Sequence, residues 1–271
     1  WTDYAFYPSG MTNLSALKNT NQYTVLNYDY TNLNYTIDLY NFSTLEKEKT
    51  LFDTKNYPQI QRINSYTFNK QEDKILIATN KESIFRRSFS ADFYVFDLKK
   101  QELSKLTDKK IQEPFFSPKG DKVAYVYQNN IYIYDTQSKK EQQVTFDGEK
   151  NKIINGTSDW VYEEEFAIVR TFDWNADGTQ LAYIRFDERQ VPEFSMDVYG
   201  TNLYPTQNTF KYPKAGENNS VVSLYLYDVN NQKATKIPVE AYYIPRIQWS
   251  KEPNILSVQT LNRHQNDFNL I

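Results

Sequence analysis

The run PFFSPKGDKVAYVYQNNIYIYDTQSKKEQQVT, residues 114–145, holds in one place the pattern that decides the fold. PFFS reads as an aromatic-ended strand, the polar residues after it as a turn, and KVAYVY as a returning second strand. IYIYDTQ is a third strand that ends in Asp at another polar turn, and KEQQVT supplies a fourth. Short runs rich in Val, Ile and aromatic residues, bounded by turn-forming residues, are strand signals. In IYIYD both faces are apolar or aromatic, whereas a half-exposed hairpin would alternate more cleanly. The strand therefore reads as one sandwiched between neighbouring sheets, with neither face in water.

The same order recurs on either side of this run. The hairpin phrase returns as YTFNKQEDKILIAT (66–79), TFDWNADGTQLAYIR (171–185) and IQWSKEPNILSVQT (247–260), with a weaker copy at SALKNTNQYTVLNY (15–28). The third-strand phrase returns as YTIDLYN (35–41), DFYVFDL (92–98) and LYLYDVN (224–230), and KEKTLF, QELSKLT and QKATKIP follow them as fourth strands. Taking Leu17, Phe68, Phe116, Trp174 and Trp249 as equivalent anchors gives spacings of 51, 48, 58 and 75 residues. A period of roughly 40 to 50 residues with four strands per unit is the mark of β-propeller blades. The sequence thus predicts an all-β fold, a single partial β-propeller domain over residues 1–271 built of four-stranded blades, about five of them present. There is no sixth copy, and Leu270-Ile271 fall inside an expected strand, so the chain reads as part of a larger propeller.

Composition agrees with this and removes several functions. Aromatic residues make up 16% of the chain, and no long stretch has helical periodicity. Gly occurs 7 times and Asn 26 times, so Asn is expected to take much of glycine's part in the turns. With 31 Lys+Arg against 34 Asp+Glu and no basic cluster, a nucleic-acid surface is not expected. No apolar run approaches the roughly 20 residues of a spanning helix, so no transmembrane segment is expected. The chain starts at Trp1 without a charged-then-apolar leader and reads as processed or trimmed. The lack of Cys excludes disulfides, thiol nucleophiles and thiolate metal sites.

The single histidine is the sharper constraint. A Ser-His-Asp hydrolase needs an imidazole to take the serine proton, and the only one is His264 in LNRHQND, expected at a strand surface. The nearest phrase to a nucleophile elbow, Gly156-Thr157-Ser158-Asp159-Trp160, lacks the second glycine. A zinc site would rest on one imidazole and carboxylates alone. No catalytic residue, metal ligand set or cofactor is expected within this chain.

The two longer intervals must contain insertions. The first, GTSDWVYEEEFAIVR (156–170), sets Glu163, Glu164 and Glu165 between Trp160/Tyr162 and Phe166. A bare acidic run reads as a solvated surface, but aromatics on both sides argue against free solvation of the whole segment. On a strand Glu164 and Glu165 would point to opposite faces, whereas on a helical turn they stand about 100° apart and can converge on one cation. The second insertion, Val191 to Gly216, carries three prolines and five aromatics and reads either as a long surface hairpin or as a partner surface.

DWVYEEEF resembles the acidic motif of the dipeptidyl peptidase IV group of the prolyl oligopeptidase family. RFDERQVPEF and YPKAGENN agree with that neighbourhood, and KESIFRRSFSADFYVFDL resembles the family's stretch around a substrate-contacting arginine. The resemblance runs in order over essentially the whole chain. It implies that Glu164 and Glu165 bind the free α-ammonium of a peptide substrate and that Arg86, after Phe85, helps hold the substrate carbonyl and pairs with the acidic motif. Glu163 and Arg87 receive no direct contact. It further implies a propeller of eight blades, a C-terminal α/β-hydrolase domain that carries Ser, Asp and His and is absent here, and a homodimer contact through 191–216. An extracytoplasmic location follows from the same resemblance.

On this reading the chain is the substrate-selecting part of a serine-type dipeptidyl peptidase that removes N-terminal Xaa-Pro or Xaa-Ala dipeptides, and alone it is expected to be inactive. A non-catalytic propeller that binds peptides or proteins, and a tripeptidyl relative, are the alternatives.

Overall fold

The structure is a computed structural model that describes residues 13–271. Strand accounts for 51% and helix for 3%, so the all-β expectation holds. Two compact units divide the chain, one of residues up to Lys81 with Asp92–Asp108, the other of Glu82–Ala91 with Lys109–Ile271.

In the first unit β1 (Ser15–Ala16), β2 (Gln22–Asp29), β3 (Asn34–Asn41) and β4 (Lys47–Asp53) form an antiparallel sheet in sequential order. A second sequential sheet takes β5 (Ser65–Phe68), β6 (Lys74–Ser83), β7 (Phe89–Asp97) and β8 (Glu102–Lys105), the outer ends of β6 and β7 being counted with the other unit. Ile37 and Phe52 from one sheet join Ile75, Ile77 and Phe96 from the next in a single buried cluster. Phe52 meets Phe96 edge-on, with centroids 4.9 Å apart.

The second unit continues with β9 (Gln112–Phe116), β10 (Lys122–Tyr127), β11 (Asn130–Asp135) and β12 (Glu141–Gln143), again sequential. These are the four strands read from residues 114–145. Then come β13 (Ile153–Asn155), the helix α1 (Trp160–Glu165), β14 (Phe172–Trp174), β15 (Gln180–Asp187), the hairpin β16 (Glu193–Val198) and β17 (Thr206–Lys211), β18 (Val221–Asp228) and β19 (Lys233–Ile237). The edge of β15 opposite β18 is shared, with β14 pairing its first half and β13 its second. The last sheet holds β20 (Tyr243–Trp249), β21 (Leu256–Leu261) and β22 (Phe268–Leu270). Val126, Ile131 and Ile133 pack with Trp174, Leu181 and Tyr183 of the following sheet, which covers the isoleucine face of IYIYD.

Four sequential four-residue turns share one device. Asn41, Asp97, Asp135 and Asp228 each end a third strand and accept a hydrogen bond from the backbone N–H two residues on. Four residues after each of them a side-chain-bearing residue, Leu45, Gln101, Lys139 and Gln232, takes a positive φ. Asn therefore replaces glycine less than its abundance suggests: among the described non-Gly residues with positive φ only Asn13, Asn80, Asn129 and Asn151 are Asn. Acceptor side chains at the turn start support the four turns just named. His264 also departs from expectation, since it is exposed in the turn between β21 and β22. That turn is fixed by Asn262, whose side chain accepts from the N–H of Asn266 and Asp267, so the strand has already ended.

Candidate functional site

The segment 156–170 folds around α1. Gly156 enters with φ +80°, and a Cβ there would lie 2.7 Å from a side-chain carbon of Ile131, so glycine is needed on both counts. Asp159 caps the helix: its side chain accepts from Tyr162 N–H at 2.9 Å, and the Ser220 hydroxyl donates to its other oxygen at 2.6 Å. Burial pushes the Asp159 carboxyl up, against those two bonds. At the other end the Phe166 N–H returns to the Tyr162 carbonyl, Ala167 turns away with φ +54°, and Arg246 donates to the Phe166 carbonyl at 2.5 Å. Tyr162 anchors the middle of the helix. Its ring is buried 4.8 Å from that of Phe186, and its hydroxyl accepts from the Ile244 N–H at 2.9 Å.

The three glutamates have three different surroundings. Glu163 is 1% exposed, and one of its oxygens accepts the backbone N–H groups of Arg87 (2.5 Å) and Ser88 (2.9 Å). Arg87 in turn donates from its guanidinium to the Glu163 carbonyl at 3.0 Å. Glu164 receives the Arg86 Nε–H on both carboxylate oxygens, at 2.7 and 3.1 Å. The Glu165 carboxylate is exposed and has no hydrogen bond or ion pair among the described residues.

Magnitudes separate structural from chemical roles. The Arg86 side chain is 70% exposed and that of Glu164 17%, so their pairing contributes at most about 1 kcal/mol to stability. Hydrogen bonds to the buried Glu163 carboxylate contribute about 1.5–3 kcal/mol each. Glu163 therefore fixes the 85–88 turn against α1, and that places Arg86 beside Glu164.

Two further residues complete the surroundings. Glu113 sits at an irregularity of β9, where pairing shifts between Ala124 and Val126, and its φ of +51° marks a bulge. Burial pushes the Glu113 carboxyl up, the Arg170 guanidinium opposes that, and the charge of Glu163 adds to it. The Arg170 guanidinium carbon lies over the Phe115 ring, 3.8 Å from its centroid.

Of the expected site residues, Arg86 and Glu164 are brought together across 78 positions, and Glu165 follows on the same turn of helix. Glu163, Arg87, Tyr162 and Arg246 were given no part by the sequence. Their partners lie 75 to 82 positions away, and no local pattern announces them. Among the described residues no three His, Asp or Glu side chains converge so as to hold a metal ion.

The family described as Dipeptidyl peptidase IV (DPP IV) N-terminal region matches residues 69–271. The chain belongs to the dipeptidyl peptidase IV family. This family chain is 32% identical over 242 residues to human prolyl endopeptidase FAP, covering 85% of itself and 31% of that relative. It is 33% identical over 246 residues to cat dipeptidyl peptidase 4, at 84% and 31% coverage. The crystal structure of Porphyromonas gingivalis dipeptidyl peptidase 4 superposes with a TM-score of 0.91 at 38% identity, over 99% of this chain and 39% of that one. The chain thus corresponds to the N-terminal, propeller-type region of this family, and it spans about a third of the length of these relatives.

Proposed function

We propose that Glu164, Glu165 and Arg86 anchor the α-ammonium of a peptide substrate, and that this chain selects substrates for a serine-type dipeptidyl peptidase removing N-terminal Xaa-Pro or Xaa-Ala dipeptides. The observation that carries the reading is the free carboxylate of Glu165 next to Glu164, which Arg86 already holds. A peptide α-amino group, with pKa near 8, is mostly cationic at neutral pH, and its three donors suit acceptor-only carboxylates. Neighbouring carboxylates repel each other, and the guanidinium of Arg86 offsets that repulsion.

A substrate N-terminus held at a fixed distance from a serine on a C-terminal α/β-hydrolase domain turns peptide hydrolysis into counted removal of two residues. The peptidase names of the relatives support the transfer. The same proposal includes a homodimer contact through residues 191–216, where Met196, Val198, Tyr199, Leu203 and Tyr204 are exposed on the hairpin, and an extracytoplasmic location. No helix among the described residues is long and apolar enough to cross a membrane.

The test is the double substitution Glu164→Gln with Glu165→Gln in the full-length protein. It is expected to lower kcat/KM for Xaa-Pro substrates by more than about tenfold, which corresponds to roughly 1.4 kcal/mol of lost anchoring. Unchanged kinetics would overturn the assignment.

A further inference from the structure

One carboxylate outside the contacts described so far takes no hydrogen bond from the described residues. Glu188 follows β15 at the root of the β16–β17 hairpin and is 5% exposed. Its backbone is tied, the N–H donating to the Lys152 carbonyl and the carbonyl accepting from the Val191 N–H. Its carboxylate has no hydrogen bond or ion pair among the described residues. The side chain lines a cavity of about 230 Å³ whose other walls include Phe85, Ile154, Trp160, Val169 and Phe210. The carboxylate therefore faces the cavity without a protein donor of its own, in surroundings largely removed from water, which favours a cation or a proton beside it.

We propose that this cavity binds a small protonated amine with an aromatic or short aliphatic body, its ammonium on the Glu188 carboxylate and its body against the rings of Phe85, Trp160 and Phe210. An anion would meet Glu188 with like charge, and a neutral apolar ligand would leave the carboxylate unpaired. A metal ion lacks the converging ligands it needs. Aromatic walls add attraction for a cation, and the volume is below the roughly 300 Å³ at which drug-sized sites begin, so the ligand is of side-chain size. The site is separate from the proposed α-ammonium anchor, because Arg86, Glu164 and Glu165 do not line it.

The charge around Glu188 leaves the carboxylate available. Lys211, the nearest cation on the hairpin, already donates to the Val191 carbonyl at 2.9 Å and pairs with Glu193 at 3.5 Å. Asp159 at the cap of α1 and Asp187 at the end of β15 add negative charge, while Lys150 and Lys211 both stand at the cavity wall. Burial, then Asp159, push the Glu188 carboxyl up to about 7, with Lys211 opposing. Amine binding therefore strengthens as pH rises through neutrality and the carboxylate forms.

Calorimetric titration of the full-length protein with 2-phenylethylamine, against its neutral counterpart 2-phenylethanol, tests this. At pH 8 the amine is expected to bind at least tenfold more tightly than the alcohol. Going from pH 8 to pH 6 is expected to weaken it about tenfold, as the ionised fraction of a group titrating near 7 falls by that factor. Glu188→Gln is expected to remove at least tenfold of the affinity, while Glu164→Gln with Glu165→Gln changes it less than twofold. Absence of amine binding, equal binding of the alcohol, or insensitivity to Glu188→Gln overturns the proposal. Loss of binding in the Glu164/Glu165 variant also overturns it, because the amine then sits on the α-ammonium anchor. The pH comparison uses the unaltered protein and stands even if a variant fails to fold.

Discussion

Two segments interrupt the repeat, and they are held in opposite ways. The helix α1 is six residues long, far too short to persist alone. It is tied at each turn to distant chain: Asp159 to Ser220, Tyr162 to Ile244, Glu163 to Arg87 and Ser88, and Phe166 to Arg246. The β16–β17 hairpin is held by its own ladder, from Glu193 opposite Lys211 to Val198 opposite Thr206. Its root meets other parts of the chain through Phe210 with Phe85 at 5.7 Å and Tyr212 with Trp160 at 4.3 Å. Where side chains must be aimed, long-range polar contacts fix the backbone. Where a surface is only presented, a local ladder is enough.

The widest gap between the two segments is expected at Glu163. Glu163→Leu leaves the N–H groups of Arg87 and Ser88 unsatisfied in a buried setting, and is expected to destabilise by about 3–5 kcal/mol. Glu163→Gln keeps an acceptor oxygen and is expected to lose less than half of that. Denaturant unfolding of the two variants measures the difference. Equal losses would mean that Glu163 acts through packing and does not hold the 85–88 turn.

The fold was legible because its cause is local and repeated. Each hairpin phrase carries its own turn, and the aromatic anchors recur for a physical reason. The Trp174 indole N–H donates to the Phe115 carbonyl, and that of Trp249 to the Asp173 carbonyl, so these two anchors are bonded to the sheet before them. The candidate site was legible only in part. DWVYEEEF marks α1 and KESIFRRS marks the Arg86 turn, but nothing in either says which glutamate is buried. Adjacent identical residues differ in role only through the direction in which the helix turns them. For the same reason Glu188 passes unremarked in RFDERQVPEF, where it looks like any charge after a strand.

A smaller loss is expected at Tyr162. Tyr162→Phe keeps the ring against Phe186 and removes only the hydroxyl that accepts from Ile244 N–H, leaving that donor buried and unpaired. The expected destabilisation is about 1–3 kcal/mol. Hydrogen exchange at the Ile244 amide reads the contact directly, with faster exchange expected in the variant. Unchanged protection of that amide would show that α1 is held by burial of the ring alone, which narrows the contrast with the hairpin.

The smallest effect is expected at the hairpin tip. Leu203 and Tyr204 are exposed in the loop that joins β16 to β17, outside the ladder that holds the two strands. Leu203→Ser with Tyr204→Ser removes apolar surface already in water, so monomer stability is expected to change by no more than about 0.5 kcal/mol. The same change deletes the residues a partner would cover, and sedimentation of the full-length protein is expected to show a weaker homodimer. The two readings separate cleanly because burial in a second copy depends on protein concentration and burial within one chain does not. A concentration-independent destabilisation comparable to that of Tyr162→Phe would mean that the tip is folded onto its own chain, and the hairpin would then belong with α1 among the segments held from a distance.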